Sequence, residues 1–277
     1  MTASSVRQAR PHQRIALANT FTKSVVDRTP MALIVGALLG FMGVVLGPLF
    51  EPIQGTIGEM MALMPKELLA LIGNVDMATP QGWFGGEMYS TLAPAAIIYV
   101  GIASASKALA GEMEAGSIGL LAANPVSRTR LATSKALAML VHVALAALLT
   151  GAGVWLGITI AELPVETGNV LAMSAHLALL GTATGALAML ISVVTGRRML
   201  GLLLAALVAF VAYVLASFLP LSDTLEGLAP LSPWYHYNGS DPLANGLELF
   251  SSAVLAALTA ILLWASIVAF ERRDLPG

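Results

Sequence analysis

Residues 199–219, MLGLLLAALVAFVAYVLASFL, contain no charged side chain. A helix needs about 20 consecutive apolar residues to cross the hydrocarbon core of a bilayer, and this run is long enough. Lipid offers no partner for backbone N–H and C=O groups, so a spanning segment must satisfy them itself, as a helix does. The run therefore predicts a transmembrane helix.

Five other apolar runs have a similar length, at residues 31–50, 89–110, 136–160, 170–194 and 249–270. None alternates between apolar and polar residues as the strands of a membrane β-barrel do. Hydrophobic residues make up 57% of the 277 residues and charged residues 11%, whereas soluble domains carry roughly 25% charged residues. We expect an all-α integral membrane protein with six transmembrane helices over residues 31–270, flanked by segments 1–30 and 271–277.

The 14 lysine and arginine residues are unevenly placed. All but Lys66 lie before the first run, from the end of the second run to the start of the third, between the fourth and fifth, or after the sixth. Cytoplasmic loops of membrane proteins carry an excess of basic residues. The asymmetry therefore predicts that both termini and residues 111–135 lie in the cytoplasm and that residues 51–88 and 220–247 face outward. The expected location is the bacterial plasma membrane.

Several kinds of chemistry have no sequence signature here. The chain has no cysteine, which excludes disulfides and thiolate metal sites. It also contains no GxxxxGK[ST] phosphate loop, no HExxH zinc motif and no GxSxG nucleophile motif. We expect no catalytic residue, no bound cofactor, no metal site and no nucleic-acid partner for this chain.

Residues 14–28, RIALANTFTKSVVDR, place apolar side chains on one broad arc and most polar side chains on the other. This pattern predicts an interfacial elbow helix on the inner membrane surface, and Pro30 is expected to turn the chain into the first span. The alternative is a solvated basic segment with no fixed structure.

The two outward segments contain different signals. Pro65 suits a first helical position, and Gly73 suits a helix stop, so a short helix is expected between them on the outer leaflet. In the second segment, Trp234, Tyr235 and Tyr237 are typical of the aromatic belt at the headgroup level. This segment either caps a substrate exit or is an ordinary interfacial loop, and the ordinary loop is favoured.

Inside the apolar runs, the candidate functional or packing residues are two histidines and two glycines: His142, His176, Gly181 and Gly185. Ionisable groups within a membrane often mark a transport pathway. A neutral histidine is also satisfied by a hydrogen bond to a neighbouring helix, and we favour that interpretation. The glycines form a GxxxG motif, which predicts close helix packing, within the chain or between subunits.

Residues 111–135, GEMEAGSIGLLAANPVSRTRLATSK, form the charged segment between the second and third runs. Asn124 suits an N-cap and Pro125 a first helical position, so the pattern indicates a helix, a break and a new helix. Such a bent, charged and partly apolar segment either docks into a groove of a soluble partner or forms a short turn with snorkelling basic residues.

The same segment resembles the pattern E-x-E-x-G-[ST]-x-x-L-L-x-x-x-P-[VL]-S-R-x-x-[LI]-x-x-x-K of membrane subunits of type-2 ABC exporters. The order of elements along the whole chain is also similar, down to an F-x-R-R-D ending at residues 270–274. The acidic residue expected before the first span is represented by Asp27 alone. The residues that fill the pattern are Glu112, Glu114, Gly116, Ser117, Leu120, Leu121, Pro125, Val126, Ser127, Arg128, Leu131 and Lys135.

This resemblance implies that the segment is a cytoplasmic coupling helix that docks into a separate ABC ATPase subunit. Polar contacts with that motor would come from Glu112, Glu114 and Arg128, and apolar contacts from Leu120, Leu121 and Val126. The implied assembly has two ATPases, which hold ATP and Mg²⁺, and two permeases in a homodimer or heterodimer, with the substrate passing between them.

The resemblance further implies ATP-driven export. An acid-free pathway of small residues favours a drug, an antibiotic or another amphipathic molecule as cargo. The alternative is a self-contained secondary transporter or channel. That class typically shows inverted repeats, broken helices or a charge near the middle of the membrane, and none of these is evident in the sequence.

Overall fold

The computed structural model describes residues 20–71, 75–108 and 127–273. All regular elements in these ranges are helical, which confirms the all-α class. The π-helical turn Gly85–Tyr89 lies between α3 and α4, and two 3₁₀ helices, Leu219–Leu221 and Glu226–Leu231, lie between α7 and α8. The α-helices are α1 (Thr20–Ala62), α2 (Lys66–Leu71), α3 (Pro80–Phe84), α4 (Leu92–Ala108), α5 (Arg128–Ile160), α6 (Thr167–Thr195), α7 (Arg198–Phe218), α8 (Pro233–Asn238), α9 (Pro242–Asn245) and α10 (Leu249–Glu271).

Five of these helices are long and apolar enough to cross a membrane, namely α1, α5, α6, α7 and α10. A sixth candidate span consists of α3 and the π turn followed by α4, two pieces that meet at a bend of 44°. The described helices thus agree with the predicted six spans when this bent pair counts as one. The bend itself was not predicted.

Helix α1 differs from the prediction at Pro30. The helix has 43 residues and continues through Pro30, Pro48 and Pro52, whereas a turn was expected at Pro30. At 1.5 Å per residue it is about 64 Å long, so it extends well beyond a bilayer core of about 30 Å. Residues 14–19 of the predicted interfacial helix lie outside the described residues.

Helix α1 packs along α5 through small residues. A Cβ atom added at Gly47 would lie 2.1 Å from the carbonyl oxygen of Gly157, and one added at Gly153 would lie 2.0 Å from that of Gly40. Any side chain at these positions would collide with backbone, so the helices approach more closely than larger residues allow.

Helix α6 lies at the centre of the bundle, in contact with α4, α5, α7 and α10. Of its most apolar 18-residue window, 67% is buried, against 17% for α7 and 22% for α10. Helices α7 and α10 therefore expose apolar side chains on the surface of the bundle, including Leu207, Phe210 and Trp264. An aqueous surface would disfavour such faces, whereas lipid accommodates them.

The outward segments are largely helical. The short helix expected after Pro65 is present as α2, with Pro65 directly before its first residue. Helix α3 folds back onto α1, where the indole N–H of the buried Trp83 donates to the carbonyl oxygen of Leu46 at 2.9 Å. The second outward segment contains α8 and α9, which pack against α6, α7 and α10.

Candidate functional site

The segment that resembles a coupling helix lies mostly outside the described residues. Of its predicted site residues, the structure describes Ser127, Arg128 and Lys135. Glu112, Glu114, Gly116, Ser117, Leu120, Leu121, Pro125 and Val126 belong to the range 109–126, which is not described.

The N-cap of α5 is Ser127, whose hydroxyl accepts from the backbone N–H of Arg130 at 3.2 Å. The sequence had suggested Asn124 as the cap and Pro125 as the first helical residue. That expectation is wrong for α5, which begins at Arg128. The serine is extended, with φ −62° and ψ 147°, as an N-cap requires, and the helix begins at the next residue.

Three helix ends are joined next to this cap. The Arg128 guanidinium in the first turn of α5 donates to the carbonyl oxygen of Arg273 at 2.7 Å, just after α10. The Arg273 guanidinium in turn donates to the carbonyl oxygens of Val193 and Val194 in the last turn of α6. Cations at helix C-termini satisfy carbonyl groups that have no partner within the helix. We call this group, Arg128, Arg273 and the two valine carbonyls, the inward clamp, because it lies at the end of the bundle that the basic residues predict to face the cytoplasm.

Helix α6 ends at Gly196, which adopts the left-handed conformation with φ 72°. Its backbone N–H donates to the Ser192 carbonyl oxygen at 2.9 Å. A Cβ atom at this position would lie 2.2 Å from the Arg273 guanidinium. Glycine therefore allows both the helix stop and the close approach of the clamp arginine.

His142 links α5 to α1. Its Nε2 lies 2.8 Å from the carbonyl oxygen of Val25, which also accepts from the Thr29 hydroxyl at 2.8 Å. The imidazole is buried at 1% exposure, and its Nδ1 has no partner among the described residues. These contacts occur one turn before Pro30, where α1 lacks a backbone N–H donor.

His176 lies at the outward end of α6, within a buried polar network. Its Nδ1 lies 3.0 Å from the carbonyl oxygen of Tyr237 in α8, and its Nε2 lies 3.0 Å from the Ser252 hydroxyl in α10. The Tyr237 hydroxyl donates to the carbonyl oxygen of Tyr89 at 2.8 Å. His176, Tyr237, Ser252 and Tyr89 join α6, α8, α10 and the π turn. We call them the outward network, because they lie at the end of the bundle that is predicted to face outward.

Tyr237 was expected at the headgroup level as part of an aromatic belt, but it is completely buried. Trp234 is also buried, at 8% exposure, and Tyr235 alone of the three aromatic residues is exposed. The sequence signal that could have revealed this burial is the cluster of turn residues around the aromatic run, which shortens the loop and draws it against the bundle.

Gly181 and Gly185 of α6 pack closely against Gly101 of α4. A Cβ atom added to Gly101 would lie 2.3 Å from the carbonyl oxygen of Gly181 and 3.4 Å from the Cα of Gly185. In this chain the GxxxG motif thus faces another helix of the same chain. The sequence could not have identified Gly101 as the partner, because the choice depends on which helices become neighbours.

Most of these contacts join the ends of helices to each other. Among residues 20–71, 75–108 and 127–273, no group of three His, Asp or Glu side chains is placed to hold a metal ion. The helices form a bundle whose ends are held together by the inward clamp at one end and by the outward network at the other.

A protein-family model described as "ABC-2 family transporter protein" matches residues 15–275. A search of curated proteins and a search of solved structures found no match.

Proposed function

The chain belongs to the ABC-2 family of transporter membrane proteins, and we propose that it serves as the permease of an ATP-driven exporter. The family match carries this proposal, because it spans all ten α-helices. The sequence pattern at 111–135 also supports it, since it resembles the segment that contacts a motor subunit in such exporters.

We infer that the motor is a separate ABC ATPase, present in two copies, which holds ATP and Mg²⁺. Two permease chains, identical or different, would enclose the substrate path between them. The asymmetry of the basic residues supports a cytoplasmic location for residues 111–135 and for both termini. This location would place the inward clamp on the side of the motor.

The inward clamp gives the coupling proposal a physical basis. The chain of the coupling segment enters α5 at Ser127, directly beside Arg128. Because Arg128 and Arg273 join the ends of α5, α6 and α10, a displacement of the coupling segment would act on three spans at once. A permease driven by a soluble motor requires such a connection between its docking surface and several helices.

The bent pair of α3 and α4 does not favour a secondary transporter. Broken helices in such carriers leave backbone groups free to coordinate an ion near the bilayer midplane. Here the Ser90 hydroxyl at the bend donates to the Gly86 carbonyl, and Tyr237 donates to Tyr89. These carbonyl groups are therefore already occupied by side chains of the protein.

The test is co-purification of the cognate ATPase with Leu121→Asp. A buried aspartate in an apolar docking groove would pay the cost of desolvating its charge, so complex formation and export should both be lost. Glu114→Gln should weaken the complex less, by up to roughly 2–5 kcal/mol for an interfacial charge that loses its partner. Arg128 is a poorer position to test, because its replacement also breaks the inward clamp.

Leu63→Asp is the matched control. Leu63 is 86% exposed at the other end of the bundle, so the same substitution there should leave the complex intact. If Leu121→Asp retains wild-type complex formation and export, residues 111–135 are not the coupling element. ATP hydrolysis by the purified chain without a partner would contradict the need for a motor subunit.

A further inference from the structure

A cavity of about 380 Å³ lies at the outward end of the bundle, between the end of α7 and the α8 segment. Pockets that hold small molecules usually have volumes of about 300–1,000 Å³, so this one falls within that range. Three of its lining residues are aromatic: Tyr213, Trp234 and Tyr235. Asp241 is the only acidic residue among the described residues of the lining, and none of these described residues is basic.

The aromatic wall is fixed by its surroundings. The rings of Tyr213 and Trp234 meet edge to face with centroids 4.9 Å apart, and Tyr237 supports Trp234 at 5.8 Å. The Ser232 hydroxyl donates to the carbonyl oxygen of Ala212 at 2.7 Å and thereby ties the start of α8 to α7. The wall is therefore formed before any ligand arrives, which reduces the entropy cost of binding.

Asp241 is also held in place by the fold. It adopts a left-handed conformation with φ 46° and ψ 71°, which residues other than glycine seldom do. The α9 segment that follows is tied to α6, because the Asn169 side chain donates to the carbonyl oxygens of Leu243 and Ala244. This unusual backbone conformation fixes Asp241 among the residues that line the cavity.

The environment of Asp241 favours a cationic neighbour. Burial raises the pKa of its carboxyl group above the ordinary value, hydrogen bonds from the backbone of Ala244 and Leu243 offset this shift only in part, and no cationic side chain among the described residues contributes to the offset. A ligand with a positive charge would supply the missing opposite charge. A metal ion is a poor candidate, because Ca²⁺ and Mg²⁺ require several oxygen ligands and only one carboxylate lines the cavity.

We propose that this cavity binds amphipathic organic cations of the ammonium or phosphonium type. The charge would lie against Asp241, and the apolar body would pack on Tyr213, Trp234 and Tyr235. Aromatic rings attract cations through their negative faces, and this attraction strengthens when water is excluded. The proposal rests on the proposed transport function, for which it names the class of cargo.

The experiment measures binding of radiolabelled tetraphenylphosphonium to the full chain in lipid nanodiscs, with empty nanodiscs to subtract partition into lipid. Asp241→Asn should weaken the affinity about 10-fold or more, which corresponds to the loss of one close charge pair. Asparagine tolerates the left-handed conformation, so the shape of the loop is retained. Tyr235→Leu, at an exposed ring, should weaken the affinity about 3-fold or more.

Glu226→Gln provides the matched control. Glu226 is an exposed carboxylate in the same outward segment but does not line the cavity, so the phosphonium affinity should not change. Tetraphenylborate has nearly the same shape and the opposite charge, and Asp241→Asn should not weaken its binding. Thermal unfolding of each variant shows whether the chain remains folded.

The proposal is overturned if the wild-type chain binds no more phosphonium than empty nanodiscs do. It is equally overturned if Asp241→Asn and Tyr235→Leu both keep wild-type affinity, or if Glu226→Gln weakens binding as much as Asp241→Asn. Co-purification with the ATPase separates this result from the proposed function. If the complex is intact but the chain binds no cation selectively, only the proposal of cation binding in the cavity is refuted. If the wild-type chain binds no ATPase, the proposal of a motor-driven permease is refuted.

Discussion

The outward and inward ends of the helical bundle are held together by different kinds of bond. At the outward end, His176, Tyr237 and Tyr89 are completely buried and exchange uncharged hydrogen bonds. At the inward end, the guanidinium groups of Arg128 and Arg273 bind helix-terminal carbonyl groups near the surface. Water can replace the inward bonds but not the outward ones, so the loss of an outward contact should cost more.

The largest effect is expected at Tyr237. Tyr237→Ala would leave a cavity in the outward network and should destabilise the protein by about 3–5 kcal/mol. Tyr237→Phe keeps the ring and removes only the hydroxyl that donates to Tyr89, and it should cost about 1–3 kcal/mol. Thermal unfolding in detergent measures both. Equal stability of the phenylalanine variant and the wild type would show that the buried hydrogen bond contributes nothing.

An intermediate effect is expected at Gly196, next to the inward clamp. Gly196→Ala would force a residue with a Cβ atom into the left-handed conformation, at a cost of about 1–2 kcal/mol, and would displace the Arg273 guanidinium. The matched control is Gly168→Ala in the first turn of α6, where a Cβ atom meets nothing within 4 Å. The control should keep or slightly raise the unfolding temperature. A comparable decrease of the unfolding temperature in both variants would show that the left-handed conformation of Gly196 has no special role in stability.

The smallest effect is expected at Glu248, the N-cap of α10 at the outward end. Its carboxylate accepts from the backbone N–H groups of Phe250 and Ser251. Hydrogen bonds, first from the Ser251 side chain and then from these backbone groups, lower the pKa of Glu248 below the ordinary value of 4.5. Because the folded-state pKa is depressed, the stabilisation is present above pH 4.5 and is lost as the pH falls through the folded-state pKa.

Glu248→Gln tests this pH dependence. The variant should unfold at a slightly lower temperature than the wild type at neutral pH, and the two should converge as the pH falls through the folded-state pKa of Glu248, which lies below 4.5. A gap that stays constant, or one that widens in acid, would show that ionisation of Glu248 does not contribute to capping. This outcome would also show that the outward end has no charge-dependent contact at α10.

Much of the fold was predictable from short stretches of sequence, whereas most of the site geometry was not. The apolar runs predicted the spans, and Pro65 predicted a short outward helix that the structure contains as α2. The start of the helix that contains the third run was less predictable, because both Asn124 and Ser127 are of residue types that suit an N-cap, and the structure uses Ser127. Local propensity identifies a set of possible caps, but packing of the helix decides which one is used.

The partners of His142 and His176 also could not be predicted from the sequence. The sequence identified both as intramembrane ionisable residues, and it favoured a hydrogen bond to a neighbouring helix. It could not identify Val25, 117 positions away, or Tyr237, 61 positions away, as their partners. Nor could it predict that Arg128 binds the end of α10. Such partners are far apart in the chain and meet only after the helices have packed.

The sequence by itself determined that this protein is a helical membrane protein of about six spans, and the pattern at 111–135 indicated its family. Bilayer thickness and the need for internal backbone hydrogen bonds act on each segment separately, so these features can be read one run at a time. Tertiary structure alone decided that α1 continues through Pro30, that α4 is preceded by a bend, and that Asp241 meets an aromatic wall. Each of these depends on contacts with other helices, and their free energy exceeds the local preference of the residues concerned.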